Sequence, residues 1–118
     1  MNLLLVTENS LTAMRLKNNI IKAVKGEMSG IAIETWSYKR SADNYDIIYH
    51  NPPQYIDAPE KNVIFRVQLD GAVVSLSTAW WRNNPTPSKE MLCLHVGRMV
   101  EMLLRYFAKD YIKISIVD

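Results

Sequence analysis

Val63-Ile64-Phe65-Arg66-Val67-Gln68-Leu69-Asp70-Gly71-Ala72-Val73-Val74-Ser75-Leu76-Ser77-Thr78 reads as two strands meeting at a tight turn. Asp-Gly is a favoured pair for a two-residue type I′ turn, which needs positive φ at both central positions. With Asp70-Gly71 at the tip, Leu69 faces Ala72, Val67 faces Val74, Phe65 faces Leu76 and Val63 faces Thr78. That face is apolar apart from Thr78. The other face receives Gln68 with Val73, Arg66 with Ser75, and Ile64 with Ser77. A slip of one residue would turn the apolar set into water, so turn and pattern agree on which face is core.

Upstream of the hairpin, Leu3 to Val6 is a continuous apolar run, the pattern of a strand covered on both faces. Asn9 or Ser10 can cap a helix whose stripe is Ala13, Leu16, Ile20 and Val24, stopping at Gly26. Ile31 to Lys39 alternates as a strand, with Ile31 and Ile33 on one face and Glu34, Trp36 and Tyr38 on the other. Tyr45 to His50 is a further strand, ended by Asn51-Pro52-Pro53, and the chain to Pro59 reads as irregular. Downstream, Thr86-Pro87 predicts a helix start. That helix runs to about Ala108 around Leu92, Val96, Met99, Leu103 and Phe107. Tyr111 to Val117 is a last strand, with Ile112, Ile114 and Ile116 on one face. The expected fold is a single α+β domain over residues 1–118, in the order β-α-β-β-β-β-α-β. Its mixed or antiparallel sheet carries both helices on one face.

Bulk properties agree. A chain of 118 residues with 48% hydrophobic and 22% charged residues is an ordinary globular domain, not a disordered segment. The net charge of +2 is too small to name an acidic partner. With one cysteine, Cys93, no internal disulfide forms, which fits a reducing compartment. The apolar start is too short for a membrane span and lacks the positive flank of a signal peptide. The expectation is a cytoplasmic protein of bacterial type.

Few motifs carry chemistry. Four glycines, Gly26, Gly30, Gly71 and Gly97, give no phosphate-cradling spacing. Cys93 and His95 diverge by about 200° around a helix, so no metal pair is expected, and Cys93 reads as a small core residue. Neither a metal nor a cofactor is expected. His95 falls at the edge of the apolar arc beside Met99, Met102 and Tyr106, where a half-buried, hydrogen-bonded histidine is the ordinary outcome. His50 ends a strand; Asp46 shares its face, but four strand residues span roughly 13 Å, beyond direct reach. The methionines of the second helix, Met91, Met99 and Met102, fit core packing better than a cavity wall.

Three functional readings follow. The favoured one is a non-enzymatic protein- or ligand-binding accessory protein of immunity, antitoxin or adaptor type, working as a homodimer. Its aromatic-rich sheet surface holds Trp36, Tyr38, Trp81 and Arg82, with His50 nearby; Trp, Tyr and Arg dominate interface hot spots. The second is a weak nucleic-acid binder using a basic face of Arg15, Lys22, Lys25, Lys39 and Arg40, since phosphates want cations and bases want flat rings. The third is a small-molecule-binding protein or enzyme with a histidine-containing apolar pocket.

Overall fold

The computed structural model describes residues 1–51 and 58–118. The predicted stop at Pro52-Pro53 and most of the irregular stretch after it lie outside the described residues. The elements are β1 (Asn2–Val6), α1 (Ser10–Val24), β2 (Trp36–Arg40), β3 (Asp46–His50), a 3-10 turn (Pro59–Lys61), β4 (Ile64–Asp70), β5 (Val73–Ala79), α2 (Lys89–Phe107) and β6 (Lys113–Val117). The strands form one antiparallel sheet in the order β2-β3-β4-β5-β1-β6. Both helices pack on one face of it, as the α+β reading expects.

The decisive hairpin keeps its faces and moves its turn. Asp70 pairs with Val73, Leu69 with Val74, Val67 with Leu76 and Phe65 with Thr78. The two-residue loop is therefore Gly71-Ala72, one residue later than expected. Gly71 has φ +58° while Ala72 is not in the positive region. A type II′ turn, which wants glycine first, has that signature, whereas a type I′ turn needs both residues there. The partner of each residue shifts by two, so the inward set is unchanged. Val67, Phe65, Val74 and Leu76 are all buried.

α1 begins where Asn9 accepts a hydrogen bond from the Thr12 N–H at 2.8 Å, satisfying one of the free donors of the first turn. Its buried set is Ala13, Leu16, Ile20, Ala23 and Val24, the predicted stripe with one addition. Gly26, at φ +76°, ends it. α2 starts later than the Thr86-Pro87 reading has it. Ser88 is the cap, accepting from Met91 N–H at 3.2 Å, and Pro87 is buried ahead of the helix rather than inside it. Val96, Met99, Met102, Leu103 and Phe107 join Leu3, Leu5, Phe65 and Leu76 in one buried core. Full burial of such side chains contributes about 1.5–3 kcal/mol each.

Three other expectations are corrected. Residues 31–35 are not strand: Ile31 and Ile33 still pack against the core, but as irregular chain leading into β2. Cys93 is exposed, on a flank of α2 that does not meet the sheet. Ile64, which the hairpin pattern alone would leave open on the face away from the helices, is buried, as is Ile47 on the strand next to the edge. No helix of the described residues is long and apolar enough to cross a membrane.

Candidate functional site

β2 and β3 pair so that Trp36 lies opposite His50 and Tyr38 opposite Ile48. Strand alternation aims all four toward the helices. The Trp36 ring is 4.8 Å from the His50 ring and 5.9 Å from Phe65, both edge-on. α2 then sets His95 against the same group, its ring 6.2 Å from that of His50. Trp36 and His95 are buried and His50 is half-buried. His95 uses Nδ1 toward the Met91 carbonyl, 2.8 Å away. It is thus hydrogen-bonded as expected, and more deeply buried than half.

A cleft of about 480 Å³ opens beside this group. One wall is the irregular segment Ala32, Ile33, Glu34 and Thr35, continuing to Trp36; His50 contributes a ring. The other wall is one flank of α2: Arg98, Glu101, Met102, Arg105 and Tyr106. Spacings of three, four and seven keep these side chains on one side of a helix. Arg98 reaches Glu101 at 3.4 Å, and the Arg105 guanidinium lies over the Tyr106 ring at 5.2 Å.

Burial pushes the His50 pKa down to about 4, with neighbouring His95 and the Arg98 charge adding to the effect and Glu101 opposing it. Burial also lowers His95, although its bond with the Met91 carbonyl works the other way. Both imidazoles are therefore neutral at neutral pH. A general base or acid works best with a pKa near the working pH, so His50 is better suited to hydrogen bonding than to proton transfer. Among the described residues no group of three His, Cys, Asp or Glu side chains could hold a metal ion.

The remaining sequence-selected residues fall elsewhere. Trp36 and Trp81 do not share a surface, because they lie on opposite faces of the sheet. Trp81 packs edge-on to Tyr49 at 6.0 Å and under the Lys39 ammonium at 5.2 Å, on the helix-free face. Arg82 is exposed beside it. Tyr38 donates from its hydroxyl to Asp46, whose carboxylate also meets Arg40 at 2.8 Å and Lys17 at 3.1 Å. Burial alone would raise the Asp46 carboxyl; the Tyr38 hydrogen bond and the two cations outweigh it and hold the group below its ordinary value. The basic face is divided. Arg15 and Lys22 are exposed on α1 and Lys25 at its C-terminal cap, with Lys25 over the Tyr38 ring at 4.9 Å. Arg40 is bound to Asp46 and Lys39 sits on the other face.

The α2 half of the cleft, Arg98, Glu101 and Arg105, reads in sequence only as a solvated strip. A signal was present, since a charged strip flanking His95 and Tyr106 runs along the edge of the apolar arc. Searches with this chain against protein-family models, curated proteins and solved structures found no match.

Proposed function

We propose that the protein is a non-enzymatic binding protein that takes a small acid-bearing molecule with a flat apolar part in the cleft along α2. The observation that carries this reading is the placement of Arg98 and Arg105 on one wall, beside the neutral His50 ring that rests on Trp36. Arginine offers a planar fork of donors matched to carboxylate and phosphate. Arg105 is the better anchor, because its described contact is the Tyr106 ring, whereas Arg98 already shares Glu101. The neutral His50 ring lines the cleft without the cost of burying a charge. A library of small carboxylates and phosphates screened by ligand-observed NMR tests the reading. Hits should be lost on Arg105→Met and retained on Arg82→Met; hits unaffected by Arg105→Met would refute it.

A second reading, docking of a partner protein on the helix-free face, is favoured by the Trp81, Tyr49 and Lys39 cluster with Arg82 beside it. Aromatic rings packed edge-on next to an arginine are the composition of an interface hot spot. Partner capture that fails on Trp81→Ala and survives Arg105→Met would favour this reading over the first.

A further inference from the structure

We infer that β6 is a self-association edge, pairing antiparallel with β6 of a second copy about a two-fold axis at Ile114. β6 ends the strand order, so one side of its backbone has no neighbouring strand among the described residues. Natural edge strands are usually guarded by charges, proline, bulges or covering loops. Here Lys113 is the only charge between Lys113 and Val117, while Ile112 is 67% exposed and Ile116 59% exposed. The other sheet edge differs: β2 ends on Lys39 and Arg40, and its Trp36 and Tyr38 turn inward.

That contrast argues for a second copy joined β6 to β6. Joining β6 to β2 of another copy would set the isoleucine row against either Arg40 or Lys39, depending on which face of β2 it meets, and such head-to-tail contacts propagate unless they close. A β6–β6 contact is self-complementary and closes at two. Opposed residues in an antiparallel pair point to the same face, so only registers that match even with even positions continue the sheet. Centring on Ile114 places Ile112 opposite Ile116 of the second copy and sets the two Ile114 side chains together. The result is three isoleucine pairs in one row, on the face where Ile114 and Leu5 already pair. Centring on Ser115 would bring Ile112 against Asp118 of the second copy, and centring on Ile116 would do the same to Ile114. The Ile114 register faces Asp110 with Asp118 beyond the strand ends, a repulsion that salt screens.

Sedimentation equilibrium of the full chain, with reductant present because Cys93 is exposed, tests the inference. A monomer–dimer equilibrium is expected, with Ile112→Lys and Ile116→Lys each raising the dissociation constant at least about tenfold. Leu11→Lys, at an exposed apolar position on α1, should leave it unchanged. Circular dichroism checks that each variant folds; if Ile116→Lys does not, Ile116→Thr supplies the same comparison. A wild type that stays monomeric at every soluble concentration would overturn the inference. So would a dimer that survives both isoleucine variants or is lost on Leu11→Lys.

Discussion

The imidazoles of His50 on β3 and His95 on α2 meet edge-on with ring centroids 6.2 Å apart, joining the sheet to the second helix beneath the cleft. Both rings are held neutral, and His50 is pushed down to about 4. The unfolded chain takes up protons near pH 6.5, while folded His50 resists protonation until about pH 4. The contribution to stability is therefore whole above pH 6.5 and is lost on acidification toward pH 4. For His50 it is at most about 3 kcal/mol, reduced by whatever solvent reaches its half-buried ring. Urea midpoints measured from pH 7.5 to 4.5 should fall, and His50→Gln should flatten the slope. An equal slope in wild type and variant would contradict the assignment.

Asp46 predicts a separate acid limb. Its carboxyl is held below the ordinary value, so its contribution is present above the unfolded pKa near 4 and is lost as pH falls through the folded one. At pH 7, Asp46→Asn should cost about 1–2 kcal/mol, because the amide keeps an acceptor for Tyr38 but loses both ion pairs. Lys17→Met should cost more than Arg40→Met. The Lys17 side chain is 19% exposed and that of Arg40 54%, and exposed pairs are worth under about 1 kcal/mol. Denaturant titration of the three variants gives the ranking.

The turn position is testable through backbone conformation. Gly71 sits at φ +58°, so Gly71→Ala should destabilise by about 1 kcal/mol or more, whereas Ala72→Gly should change stability by less. A turn centred on Asp70-Gly71 would instead make Asp70 a positive-φ position and reward Asp70→Gly. Thermal unfolding of the three variants separates these cases.

The same hairpin shows what can be read without coordinates. Its apolar pattern repeats every two residues, so it fixes which face is inward but cannot tell registers that differ by two. Turn chemistry had to choose between them. Asp70-Gly71 satisfied the rule for one turn type while Gly71-Ala72 satisfied the rule for another. Ile31 and Ile33 alternate as strand residues do, yet irregular chain can bury the same two side chains. The cleft was less legible because residues distant in sequence meet there. Asp46 was the visible candidate neighbour for His50, since both lie on β3; the closer ring, His95, arrives from α2. Trp36 and Trp81 share a residue type but sit on opposite faces, which only the pairing of β2 with β3 and the path after β5 decide.

The most direct test of the binding account is the His50 titration by NMR, followed through its imidazole signals with and without a small carboxylate ligand. An anion held by Arg98 and Arg105 offsets the positive charge that helps keep His50 neutral, so the ligand should raise its pKa from about 4. The shift should vanish in Arg105→Met. A ligand that binds the protein while leaving the His50 titration unchanged would contradict the account.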